Sequence, residues 1–176
     1  MQALIFLVEV LVGIFELALL LRLLLQLVRA DFRNPISRAI VRITNPVIVP
    51  LRRALPAAGR IDTASVVAVV AVSLLKVLAV ALLTGFGVPP WLLLLRAVAI
   101  DLVRLLLQTW FFAILIYAVL SLVAPGARSP AQAVLAALCE PLLSRIRRVI
   151  PPIADLDLSP LWAGIAIQAL LLLLPR

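Results

Sequence analysis

The sequence predicts an all-α membrane protein with four transmembrane helices in two tandem parallel repeats, each repeat carrying an amphipathic interfacial helix on the cytoplasmic side. Three observations lead there. Of 176 residues, 65% are hydrophobic, and the mean hydropathy is +1.25, more aliphatic surface than a soluble core can hide. Four apolar stretches approach the length needed to cross a hydrocarbon layer of ~30 Å. Between them, two Pro- and Arg-rich segments recur at one fixed offset.

The first repeat covers 1–88, with spans 3–28 and 64–86 on either side of an interfacial segment, 34–62. The second covers 89–176, with spans at about 102–123 and 158–174 around the segment 129–157. Span one is interrupted by Glu9, Glu16 and Arg22. It exceeds the hydrocarbon thickness and so tilts or projects. Its start lacks the cationic region of a cleaved signal peptide, so it reads as a retained helix. Span two contains Lys76; the third apolar stretch lies within Trp91–Val123, and its part Leu105–Val123 is free of charge. The fourth, Leu158–Leu174, is short but sufficient.

The formal net charge is +8. Eleven of the 16 Lys and Arg residues lie in or beside the two Pro-rich segments: Arg29, Arg33, Arg38, Arg42, Arg52, Arg53, Arg60, Arg128, Arg145, Arg147 and Arg148. Cations beside apolar runs point to topology and anionic lipid headgroups rather than nucleic acid. The positive-inside rule puts both segments in the cytoplasm and both termini outside, as expected of a multi-pass membrane protein. Arg96, Arg104 and Arg176 near the outer side dissent mildly. One cysteine, Cys139, and no histidine exclude an internal disulfide, a CxxC pair, histidine-ligated haem and the usual zinc sites. No metal or cofactor is expected, and Cys139 reads as a small apolar residue.

An offset of 95 residues aligns the two segments without a gap: Pro35 meets Pro130, Pro46 meets Pro141, Arg52-Arg53 meets Arg147-Arg148, Pro56 meets Pro151 and Asp62 meets Asp157. None of these identities is Leu, Ala or Val, which chance would match most often. Two helices per copy give both copies the same orientation. Asn34-Pro35 and Ser129-Pro130 read as a cap followed by proline at the first helical position. Ile36, Ala39, Ile40, Ile43 and Val47 then share one helical face and Arg38 and Arg42 another, the pattern of a helix lying at the interface. Pro46 and Pro141 are expected to kink or end it, with a short second piece bearing the paired arginines and stopped by Pro56 or Pro151. Asp62-Thr63 and Ser159-Pro160 open the following spans. The arginine pairs have two readings: headgroup contact, or a structural tie from an Arg to Asp62 or Asp157 ten residues on.

The run Thr44 through Pro56 with Asn34-Pro35 and Gly59 through Asp62, matched again by Glu140 through Pro152 and Asp157 through Pro160, resembles the YggT family signature. The second copy departs from the first at Ala154, where the first has Gly59. The resemblance covers nearly the whole chain. It implies an inner-membrane protein; bacterial members are connected with osmotic tolerance and envelope or division processes, plastid relatives with cytochrome b6 haem attachment and nucleoid organisation. It carries over no catalytic residue.

Charges within the spans are costly and face protein or water. Glu16 lies twelve residues from Val28, and Lys76 lies twelve from Ala64. Both therefore sit ~18 Å from the cytoplasmic end of their helices and are expected to pair. Phe111 and Leu171 occupy the equivalent positions of the second copy, so both charges are missing there together. Glu9 is expected to pair with Arg104, or Asp101 with Arg104 along one helix. Glu9, Gly13 and Glu16 share a face, read as buried against neighbouring helices. Two functional classes remain: a membrane scaffold or assembly factor contacting other membrane proteins or further copies of itself, and an ion or osmolyte transporter or channel component. Enzymatic chemistry is not expected.

Overall fold

The computed structural model describes residues 1–55, 62–123, 129–150 and 157–175. Among these the chain is entirely helical: α1 Gln2–Leu27, α2 Pro35–Ala54, α3 Thr63–Leu83, α4 Trp91–Val123, α5 Pro130–Val149 and α6 Ser159–Leu173. By length and composition α1, α3 and α4 are able to cross a membrane, whereas α6, with 15 residues, is apolar but shorter. Pro56 and Pro151 lie outside the described residues.

Two helix ends close in the same way. At the end of α1, Arg29 N–H donates to the Gln26 carbonyl and Ala30 N–H to that of Leu25, with Arg29 in the left-handed region at φ 54°. At the end of α3, Gly85 N–H donates to Leu82 and Phe86 N–H to Ala81, with Gly85 at φ 80°. These are Schellman closures, which satisfy the last carbonyls of a helix. Only the second uses the residue that adopts this conformation without a Cβ penalty.

α2 and α5 start where the cap-plus-proline pattern puts them. Asn34 Oδ1 accepts from Ile36 N–H at 2.9 Å; Ser129 and Gln132 form a reciprocal capping box. Neither helix breaks at its proline: Pro46 and Pro50 lie inside α2 and Pro141 inside α5. The expected short second piece is instead the last turn of one continuous helix. In α2 the turn before Pro46 has other donors. Thr44 Oγ1 donates to the Ile40 carbonyl at 2.7 Å, and Arg22 reaches the Val41 carbonyl at 3.4 Å. α6 begins at the residue expected to cap it, one position before the expected Pro160. Ser159 is its first residue, and Asp157 Oδ1 takes the N–H of Ser159 at 2.9 Å.

The chain divides into two compact units, Met1–Leu23 with Ala39–Leu105, and Leu24–Arg38 with Leu106–Arg176. The core of the first gathers Leu19, Ile48, Ala64, Ala68 and Val69, with Phe15, Val47, Leu51 and Val72 against them. That of the second gathers Ala113, Ile114, Cys139, Leu143, Ala163 and Ile167, flanked by Trp110, Phe111, Tyr117, Leu142, Ile146 and Leu171. Leu19, Ile48, Ala68 and Val72 correspond to Ile114, Leu143, Ala163 and Ile167 at the repeat offset, so each copy builds its core from equivalent positions.

Candidate functional site

The copies differ in what fills those positions. Phe111 and Leu171 belong to an apolar cluster in the second copy. Their counterparts in the first, Glu16 and Lys76, form an ion pair through Glu16 Oε2. Lys76 Nζ also lies 2.8 Å from Asp101 Oδ1 on α4, and Ser73 Oγ donates to Asp101 Oδ2 at 2.7 Å. Glu16 is fully buried. Three helices thus converge on one ammonium. Asp101 thus places one oxygen on Lys76 and the other on Ser73. Arg104 is half-buried, one turn further along α4. Glu9 is exposed, so the acidic stripe of α1 is not a buried seam. Its burial begins only near Glu16, because Leu4, Phe6, Leu7, Val10, Leu11 and Ile14 around Glu9 are exposed as well.

A second polar group sits toward the other end of α1. Arg22, 4% exposed, donates to Thr44 Oγ1 at 2.7 Å and Asn45 Oδ1 at 2.9 Å. A guanidinium spreads its donors in a planar fork, which lets one side chain hold several acceptors on α2. Sequence reasoning assigned Arg22 no partner and passed over Thr44, Asn45 and Ser73. The signal was available: at the repeat offset Arg22 becomes Tyr117 and Thr44 becomes Cys139, so the guanidinium and the hydroxyl that accepts from it are replaced together.

α2 therefore has three sectors. Ser37, Thr44 and Ile48 are buried. Ile36 and Ile43 form an exposed apolar stripe, and Arg38, Arg42 and Arg53 an exposed basic one. Of the apolar stripe predicted for the interface, Ile36, Ala39 and Ile43 are exposed, whereas Val47 packs against the core.

The paired arginines divide their tasks. Arg52 grips Asp62 through Nε at 3.2 Å and Nη2 at 2.5 Å, and Ser65 Oγ adds a third donor at 2.7 Å. Burial pushes the Asp62 carboxyl up, but the hydrogen bonds from Arg52 and Ser65 and the charges of Arg52 and Arg22 outweigh it and hold it below the ordinary carboxylate range. Arg147 repeats the tie: Nε lies 2.9 Å from Asp157 Oδ2, and Nη1 lies 2.8 Å from Glu140 Oε1. Burial also raises Asp157, and the bonds from Ser159 and Arg147 again win, leaving it low. Arg53 and Arg148, the second members, are exposed, as are Pro35, Pro46, Pro130 and Pro141. Asn34 Nδ2 donates to the Pro130 carbonyl at 2.7 Å, joining the starts of α2 and α5. Cys139 is fully buried; burial, with the neighbouring Glu140 charge, pushes its thiol up to about 12.

A family model described as CCB3/YggT matches residues 1–83 and again 91–176. An uncharacterized protein of Pseudomonas aeruginosa is 40% identical over 94% of this chain and 85% of its own length. The Escherichia coli K12 protein named "Uncharacterized protein YggT" is 36% identical over 92% of this chain and 83% of its own. A Vibrio alginolyticus protein is 38% identical, covering 96% and 91%. No solved structure matches the chain significantly. With the family's unit matched twice along nearly the full length, the chain belongs to the CCB3/YggT family and carries it as two tandem repeats.

Proposed function

We propose that this protein is a four-span scaffold or assembly factor of the bacterial inner membrane, holding other membrane proteins, or further copies of itself, against its helices and its basic cytoplasmic face. One observation carries the reading: the cations set among the apolar helices are held inside the protein, Lys76 by Glu16 and Asp101 and Arg22 by Thr44 and Asn45. What remains for a partner is the surface, where Arg38, Arg42 and Arg53 border Ile36 and Ile43. That combination suits an anionic headgroup layer or an acidic, apolar partner face.

Fourth in this scheme is α6. At ~22 Å by helical rise it is short for the bilayer, and local thinning accommodates such a mismatch at modest cost. The arginine count supports both elbows lying in the cytoplasm. A role in envelope, osmotic-stress or division processes rests on the family resemblance. A transporter or channel component is the second reading, favoured by Asp101, whose side chain keeps 24% of its surface exposed beside Lys76. Purified protein in liposomes decides between them. The scaffold predicts ion and osmolyte flux equal to that of empty vesicles, whereas flux abolished by Glu16→Gln or Lys76→Met establishes transport.

A further inference from the structure

The charges around Lys76 do not balance. Two carboxylates, Glu16 and Asp101, share one ammonium, leaving a surplus of one negative charge among helices built to lie in lipid. The charges that act on Glu16 are those of Lys76 and Asp101, and those acting on Lys76 are Asp101 and Glu16. Other ionisable groups on the same helices are engaged elsewhere or differently placed. Arg22, nearly two turns along α1, is held by Thr44 and Asn45; Glu9 is exposed; Arg104 lies one turn beyond Asp101.

Saturation of the oxygens is uneven. Asp101 has Lys76 on Oδ1 and Ser73 on Oδ2. Glu16 has Lys76 on Oε2, while its Oε1 is buried and has no hydrogen-bond partner. A carboxylate offers about four acceptor positions, and one whole oxygen left bare inside a low-dielectric interior is strongly disfavoured. Nor does the fold demand these charges, since Phe111 and Leu171 fill the same positions of the second copy.

We propose that Glu16, Asp101 and Lys76 form a binding site for one monovalent cation, a proton or Na⁺, seated at Glu16 Oε1. A single positive charge brings the cluster to neutrality and gives the bare oxygen its partner. A divalent metal overshoots the charge and demands a larger oxygen shell; among the described residues no group of three metal-ligating acidic, histidine or cysteine side chains exists. The site stands whether or not the protein conducts, because a cation that merely neutralises the cluster serves a scaffold equally well.

Infrared spectroscopy of the full-length protein in nanodiscs tests this, with pH and NaCl titrated separately and choline replacing Na⁺. A bound proton gives a protonated-carboxyl stretch at neutral pH that is lost in Glu16→Gln and retained in Asp31→Asn. Asp101→Asn removes the surplus charge while leaving the Glu16–Lys76 pair, so it too should lose the band. This second variant keeps the test open if Glu16→Gln fails to fold. Bound Na⁺ gives no such band; instead NaCl raises the melting temperature of the wild type and leaves that of Asp101→Asn unchanged. Absence of both the band and the Na⁺ response overturns the proposal, as does a band that survives in Asp101→Asn.

Discussion

Arg52 closes on Asp62 across ten residues, and Arg147 closes on Asp157 across the same interval, so each copy latches the end of its elbow helix to the residues just before the following helix. The latches differ in burial. Asp62 is 2% exposed and Asp157 37% exposed, and a solvated ion pair contributes little.

Asp62→Asn should therefore destabilise the folded protein by about 1–3 kcal/mol, discounted because Arg52 is half-exposed, whereas Asp157→Asn should cost below about 1 kcal/mol. Both aspartates are held below their ordinary range in the folded state. Their contribution is thus fully present above the unfolded value and is lost as pH falls through the lower folded one. Thermal unfolding in detergent should show stability declining below about pH 4, with a shallower decline in Asp62→Asn.

Lys76→Met should be the most damaging single change in the first copy, because it strands two carboxylates; removing one partner of a buried pair costs about 3–5 kcal/mol. Asp101→Asn should be milder. The combination Glu16→Leu, Lys76→Leu and Asp101→Asn, which imitates the apolar second copy, should recover most or all of the loss. Denaturant midpoints for the single and combined variants check this; a triple variant no better than Lys76→Met alone contradicts the structural role of the cluster.

Arg22→Lys keeps the charge but replaces the planar fork with a point cation. It should cost about 1–3 kcal/mol, close to the effect of Thr44→Val, and the double variant should cost less than the sum. A double-mutant cycle on melting temperatures measures that coupling.

Cys139 should resist maleimide in the folded protein at neutral pH, since only the thiolate reacts and the buried thiol is held near 12. Labelling should appear only with unfolding, which makes Cys139 a built-in reporter of the second core.

Much of this was legible in the sequence because it depends on spacing. Counting from the helix ends placed Glu16 level with Lys76, and the fixed interval from Arg52 to Asp62, repeated at Arg147 and Asp157, gave the latch as one of two readings. What depends on rotation about a helix axis was harder. Asp101 turned toward Lys76 because α4 approaches α3 on that face, which no count of residues reveals. Pro46 misled for a different reason: a proline inside a helix removes one hydrogen bond and crowds the turn before it, yet α2 runs on through both Pro46 and Pro50. Glu9 shared a stripe with Glu16 yet not its burial, since packing along α1 reaches only part of the helix.

Asp101 belongs to the second repeat, yet it completes a cluster otherwise housed in the first. During synthesis Glu16 and Lys76 can meet as a neutral couple before the acid that unbalances them has been translated. The second carboxylate thus arrives last, carried by α4, and joins an ion pair that α1 and α3 can already make.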